Sequence, residues 1–255
     1  MNVIGVQFDV AWEDKRANFE KVRRMLAEAA PERESLIVLP ELFATGFSMN
    51  TGAMAEDYGG ETEQFLANTA RESGGCVLGG VAMRGRDGRA RNKALAFGPD
   101  GELLAFYAKM QPFTLGGERQ HYVAGDKICA FHWGGSTVAP FICYDLRFPE
   151  LFRRAAKAHR PELFVVIANW PEQRIHHWTQ LLRARAIENQ AFVVGVNRTG
   201  RDPNHNYTGR SMIVDYHGEV LRESVAEEAC LRANLEMAAL REYRRSLPFL
   251  DDLRL

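Results

Sequence analysis

The sequence predicts an α/β protein folded as a single domain over residues 1–255, with a mostly irregular tail at about 246–255. Three observations carry this. Short apolar, β-prone runs interleave with stretches of helical period along the whole length. Turn dipeptides such as Asp87-Gly88 and Asp100-Gly101 mark hairpins beside β-α-β stretches. No linker, low-complexity segment or short repeat interrupts the interleaving, so mixed sheets covered by helices are expected.

The elements follow in order. Residues 2–10 are apolar and β-prone, and residues 12–30 place Phe19, Val22, Met25, Leu26 and Ala29 at helical spacing until Pro31 stops the helix. A short buried strand at 35–39 ends at Pro40. A second helix at 62–73 turns Phe65, Leu66 and Thr69 inward and ends at Gly74-Gly75, before a strand at 76–83. Asp87-Gly88 leads into a strand at 91–97, and Asp100-Gly101 separates it from a strand at 102–109. Residues 110–127 show no period and read as a long loop, of the kind that is usually functional or disordered. Strands at 128–133 and 137–143 pair across Gly134-Gly135, followed by a helix at 149–159, a strand at 163–168, a helix at 177–190 and a strand at 192–197. Strands at 210–214, 219–221 and 229–234 complete the sheets, and a helix at 235–245 precedes the tail.

Composition excludes several function classes. The chain is 46% hydrophobic and 25% charged, with 32 basic and 33 acidic residues and a net charge of −1, which favours neither nucleic acid nor an anionic membrane as a partner. The first ten residues read as a strand, with no secretory leader, and no apolar run approaches a membrane span. Cys76, Cys129, Cys143 and Cys230 are widely spaced without a C-x-x-C pair, so neither a zinc ribbon nor a thioredoxin-type site is indicated; reduced cysteines in a cytoplasmic protein are expected.

Chemistry concentrates at strand ends, where α/β architectures bind ligands. The strand at 35–39 and Pro40 lead to Glu41, the strand at 102–109 ends at Lys109, and the run Val138-Ala139-Pro140-Phe141-Ile142 ends at Cys143. A thiol between a buried strand and a helix start is a candidate reactive thiolate, since helix N-termini and nearby cations lower a thiol pKa; a small buried core residue is the alternative. Glu41 supplies a base for the thiol proton, and Lys109 a cation for the thiolate and for the oxyanion of a tetrahedral intermediate. The Tyr144 N–H, just past the thiol, is a second oxyanion donor. Taken singly, each side chain reads equally as a cap, a solvated terminus or a core residue; together they form a nucleophile, a base and a cation.

The motifs Leu39-Pro40-Glu41-Leu42-Phe43, Tyr107-Ala108-Lys109 and Cys143-Tyr144-Asp145-Leu146-Arg147-Phe148-Pro149-Glu150 resemble the three signature segments of the nitrilase superfamily of carbon–nitrogen hydrolases, in matching order. The resemblance reaches from the first strand to about Arg245, and the cysteine segment is its most specific part. It implies a four-layer α-β-β-α sandwich, Cys143 as nucleophile, Glu41 as general base, Lys109 as oxyanion stabiliser and Glu118 as a supporting glutamate. It implies no metal or organic cofactor, and association into a homodimer or higher homo-oligomer. Glu41-Leu42-Phe43-Ala44-Thr45-Gly46-Phe47-Ser48-Met49, Ile167-Ala168-Asn169-Trp170-Pro171 and residues 183–190 are similar to segments of the bacterial omega-amidases, which implies small 2-oxo acid amides as substrates. Arg174 is then the expected partner of the substrate's distal carboxylate, and Phe43, Phe47, Phe113, Asn169 and Trp170 the expected pocket residues. Asp145 and Arg147 are expected to brace the turn at Cys143.

Other readings stand beside this one. A nitrilase, an N-carbamoyl amide hydrolase or a deaminated-glutathione amidase would share the same three residues. A thiol enzyme of the Cys–His type lacks its C-G-S-C-W or G-x-C-x-G segment here, and a binding protein on the same fold would not need the complete set. His176-His177, about 100° apart on a helix, do not form an i, i+4 metal pair and read as structural; spacing assigns no role to His121 or His132.

Overall fold

In the computed structural model, which describes residues 1–254, the runs fold into two stacked sheets with helices on both outer faces. Strand β1 (Asn2–Gln7), helix α1 (Lys15–Ala29), strand β2 (Leu36–Val38), the short helix α2 (Thr51–Met54), helix α3 (Glu61–Ser73) and strands β3 (Cys76–Arg84), β4 (Ala90–Phe97) and β5 (Leu103–Ala108) come first. The one-turn helix α4 (Glu118–His121), strands β6 (Phe131–Trp133) and β7 (Ser136–Ile142), helix α5 (Pro149–His159), strand β8 (Leu163–Ala168), helix α6 (Ile175–Asn189) and strand β9 (Phe192–Asn197) follow. Strands β10 (Thr199–Arg201), β11 (Asn206–Val214), β12 (Val220–Val225) and β13 (Ala229–Asn234) and helix α7 (Met237–Ser246) close the chain.

The first sheet has the order β13-β1-β2-β3-β4-β5 and the second β10-β11-β9-β8-β7-β6, with β12 on β11. β1, β2 and β3 are mutually parallel, as are β7, β8 and β9, and the remaining pairs, including β1 with the distant β13, are antiparallel. A strand buried on both faces divides its side chains between two cores with period two. Leu36 and Val38 of β2 pack in one core with Val138 of β7, while Ile37 lies in the core beneath α1 and α3. There Phe19 stacks on Phe65 at 4.3 Å. On the other side Phe152 of α5 stacks on Phe141 at 4.2 Å, and Trp178 of α6 is fully buried. The α-β-β-α sandwich expected from the sequence is therefore the architecture.

Several boundaries move for local reasons. Helix α1 starts at Lys15, not at residue 12, because the Asp14 carboxylate caps it by accepting the Ala17 N–H at 3.0 Å. The long loop at 110–127 contains a 3-10 turn at Thr114–Gly116 and helix α4. Strands β11 and β12 are longer than their apolar cores, since ladder hydrogen bonds continue through polar residues. Helix α2 and strand β10 carry no apolar period and are not visible in the sequence. The tail packs on α5: Leu250 and Leu253 are buried with Ala156, and Lys157 Nζ donates to the Leu253 carbonyl at 2.9 Å.

Two glycines permit the close approaches that shape one end of the sandwich. A Cβ on Gly80 would stand 2.4 Å from the Leu42 nitrogen, so only glycine lets β3 pass behind the Glu41–Leu42 backbone. A Cβ on Gly125 would stand 2.2 Å from the Ala108 carbonyl oxygen, where the loop returns and the Gly125 N–H donates to Lys109 O at 2.8 Å.

Candidate active site

The residues just past the carboxyl ends of β2, β5, β7 and β8 converge: Glu41, Lys109, Cys143 and Asn169. Glu118, the first residue of α4, joins them. Lys109 Nζ lies 2.8 Å from Glu41 Oε1 and 2.8 Å from Glu118 Oε2, with all three side chains essentially excluded from solvent. Glu41 Oε2 accepts the Asn169 N–H at 2.7 Å, and Asn169 Nδ2 donates to the Glu41 carbonyl at 2.7 Å. Glu118 Oε2 also accepts the Phe113 N–H at 2.6 Å, which ties the loop wall to the cluster. Burial alone would lower the Lys109 pKa; the carboxylates of Glu118 and Glu41 outweigh it and hold the ammonium well above its ordinary range.

Cys143 follows β7 and opens a 3-10 turn at Cys143–Arg147, with φ at +47°. A residue bearing a Cβ is rarely held in the left-handed region unless its surroundings over-determine it. Here Asp145 does so. Its Oδ2 accepts the Ile142 N–H at 3.0 Å and the Tyr107 hydroxyl at 2.8 Å, and its Oδ1 accepts the Gln111 N–H at 2.8 Å. Burial pushes the Asp145 carboxyl up to about 7, against the pull of Lys109 and these donors. The bracing role expected of Asp145 is thus matched by its contacts.

The surroundings of the thiol oppose its ionisation. Burial, reinforced by the Glu41 carboxylate, raises the Cys143 pKa well above the ordinary thiol range, and the opposing charge of Lys109 does not reverse this. A short 3-10 turn and one ammonium shared by two carboxylates are too weak to ionise a buried thiol. The resting side chain is a neutral thiol, its Sγ 3.9 Å from the Asn169 carbonyl oxygen.

A pocket opens onto this cluster. Phe47, Phe113, Asn169, Trp170 and Arg174, five of the expected pocket residues, line it together with Tyr144. The Tyr144 N–H is the second in the 3-10 turn and so has no partner within it. Phe47 places its ring centroid 5.2 Å from Lys109 Nζ. Trp170 Nε1 donates to the Arg174 carbonyl at 2.8 Å, fixing the backbone from which that guanidinium extends over the Phe113 ring. Phe43 is a correction: its ring is fully buried in the core with Phe19 and Phe65 and lies outside the pocket, because residue 43 falls on the side of the turn facing α1 and α3.

Sequence reasoning missed four residues. Arg147 lines the pocket instead of only bracing the turn; its guanidinium lies 4.6 Å from the Trp170 ring, and burial together with the nearby Arg174 charge lowers its pKa. Among the described residues neither Arg147 nor Arg174 has a carboxylate partner. His205 and Tyr207, from the β10–β11 hairpin, form another wall, with the Tyr207 hydroxyl anchored on Asp202 Oδ2 at 2.5 Å. Asn92 of β4 is buried inside the carboxylate cluster. Asn92 stands between Arg91 and Lys93 in the polar half of β4, so neither it nor the hairpin carried a local signal.

Comparison with known proteins gives a consistent result. The carbon–nitrogen hydrolase family model matches residues 4–245. The chain is 40% identical to the omega-amidase YafV of Yersinia enterocolitica, over 97% of this chain and 94% of that protein. It is 35% identical to the 2-oxoglutaramate amidase of Bacillus subtilis, over 98% and 96%. Among solved structures, XC1258 from Xanthomonas campestris, a CN-hydrolase superfamily protein with an arsenic adduct in its active site, superposes with a TM-score of 0.93 at 35% identity, covering 100% of this chain and 97% of that one.

Proposed function

This chain belongs to the carbon–nitrogen hydrolase family, a hydrolase of linear amide C–N bonds, and we propose that it is an omega-amidase. Its substrates are then 2-oxoglutaramate and 2-oxosuccinamate, converted to the 2-oxo dicarboxylate and ammonia. One observation carries the reading: Cys143 lines a pocket and is tied through Asn169 to a buried Glu–Lys–Glu cluster, and two guanidiniums without carboxylate partners stand in the pocket wall. The first group suits acyl transfer, and the second suits an amide whose far end is a carboxylate.

In the proposed cycle Cys143 Sγ attacks the amide carbon while its proton passes to Glu41. Because the resting thiol is neutral, this transfer accompanies attack. The Lys109 ammonium has three N–H groups; one goes to Glu41 Oε1 and one is shared by the two oxygens of Glu118, at 2.8 and 3.1 Å, which leaves one for the oxyanion beside the Tyr144 N–H. Collapse breaks the C–N bond as Glu41 returns the proton to nitrogen, releasing ammonia and leaving a thioester. Water then attacks the thioester, giving a proton to Glu41. Collapse of that intermediate breaks the C–S bond, the proton returns to Sγ, and the acid departs. Arg147 and Arg174 hold the distal carboxylate throughout, and Phe47, Phe113 and Trp170 exclude water around the chain of the substrate.

Ammonia release from 2-oxoglutaramate, measured against a nitrile and an N-carbamoyl amino acid, tests the proposal. Turnover of either rival without turnover of the oxo acid amide would overturn it. The same reading includes a cytoplasmic homodimer or higher homo-oligomer without nucleic-acid or membrane partners. Exposed Ile187, Leu247 and Phe249 supply apolar surface for association, which light scattering in solution measures.

A further inference from the structure

We infer that Asn92 is a positioning residue that selects which oxygen of Glu41 receives the thiol proton. This rests on the reading of Cys143, Glu41 and Lys109 as the reacting groups. Asn92 lies on β4, which pairs with β5, the strand that Lys109 directly follows, and it is 1% exposed. Its backbone carbonyl accepts the Lys109 N–H at 2.9 Å. Its side-chain Nδ2 donates to Glu41 Oε1 at 2.7 Å and to Glu118 Oε1 at 3.0 Å. One side chain therefore touches both carboxylates, and one backbone group fixes the root of the lysine.

Lone-pair counting gives the consequence. A carboxylate oxygen accepts about two hydrogen bonds well. Glu41 Oε1 already has two short donors, Lys109 Nζ at 2.8 Å and Asn92 Nδ2 at 2.7 Å. Oε2 has one short donor, the Asn169 N–H at 2.7 Å, and only a long contact to Asn169 Nδ2 at 3.4 Å. The proton from Cys143 thus goes to Oε2, and Asn92 closes Oε1 to it. The amide also places a hydrogen against each of two buried carboxylates that share a single ammonium, which offsets their mutual repulsion. Asn92 Oδ1 is buried without a partner, so the amide has no internal contact on that side to pull it from the carboxylates. The reverse orientation would set an oxygen against two anions.

The test is alkylation of Cys143 by iodoacetamide, followed by mass spectrometry across pH, alongside kcat and KM. Alkylation displaces iodide and needs the thiol and its base but no amide hydrolysis, so it reads Asn92 even if the substrate assignment fails. In Asn92→Leu, which keeps the branched shape and removes both donors, the low-pH limb of alkylation moves to higher pH. Amide turnover then loses kcat by roughly ten- to hundredfold with KM nearly unchanged, as expected for lost hydrogen bonds to charged groups. Asn92→Asp, near-isosteric and independent of packing changes, moves the limb further, because a third carboxylate raises the proton affinity of the others. Limbs that superpose on the unmodified protein in both variants would overturn the inference, as would loss of kcat with no movement of either limb.

Discussion

Lys109 Nζ sits 2.8 Å from Glu41 Oε1 at a point where neither side chain meets solvent. An ion pair in that setting is not evidence of stability by itself, because desolvation offsets most of the attraction. Its value is geometric: the ammonium holds the Glu41 carboxylate in place, and in the proposed cycle it keeps one N–H for developing charge. Glu118 completes the arrangement by taking a second N–H of the same ammonium.

Removing Lys109 leaves two buried carboxylates without their cation. We expect Lys109→Met to lower unfolding free energy by about 3–5 kcal/mol and to abolish amide turnover. Urea unfolding and ammonia release measure the two effects. Unchanged stability would mean that the carboxylates are protonated or hydrated instead.

Glu118→Gln removes one of the charges that hold the lysine but keeps the volume. The expected result is a folded protein with kcat lowered by roughly a hundredfold or more, in the range of losing one charge-stabilising donor, and KM little changed. Steady-state kinetics with circular dichroism decides this. A kcat within twofold of the unmodified protein would remove Glu118 from the site.

The neutral resting thiol makes a pH prediction. A raised folded pKa means that the native state keeps the Cys143 proton over a window in which the unfolded chain loses it. Its contribution to stability is therefore fully present below the ordinary thiol pKa and is lost as pH rises through the folded value. Thiolate absorbance near 240 nm should show no ionised Cys143 at neutral pH, judged by difference from Cys143→Ala, which should also lack amide turnover. A thiolate signal at pH 7 would contradict the electrostatics of the site.

Asp145 works in a different window. Burial pushes it up to about 7, so the native state binds its proton more tightly than the unfolded chain between about pH 4 and 7. Its contribution to stability is greatest below that window and falls as pH rises through it. Compared with Asp145→Asn, the unmodified protein should show its largest stability advantage near pH 4 and its smallest above pH 7. Parallel urea midpoints across that range would refute the shift.

Charge at the pocket wall predicts substrate preference. Arg147→Ala and Arg174→Ala should each raise KM for 2-oxoglutaramate by roughly ten- to hundredfold, the range for a hydrogen bond to a charged group. Turnover of an uncharged amide such as butyramide should be much less affected. Equal losses on both amides would indicate a packing role for the two arginines.

The sequence by itself determined a good deal. Period-two and helical patterning located most strands and helices, since a chain that buries two sheets between helices must write that burial into its apolar spacing. Glu41, Lys109 and Cys143 were legible because each stands immediately after a run or motif that could be read locally. Only the tertiary structure decided the rest. Asn92 became part of the cluster because β4 pairs with β5 and its amide reaches two carboxylates from distant segments. Arg147 turned to the pocket wall, Phe43 turned to the core, and the β10–β11 hairpin brought His205 and Tyr207 across. The thiol's protonation also belongs to the assembled fold, since burial and the Glu41 charge act through space, whereas the sequence records only neighbours along the chain.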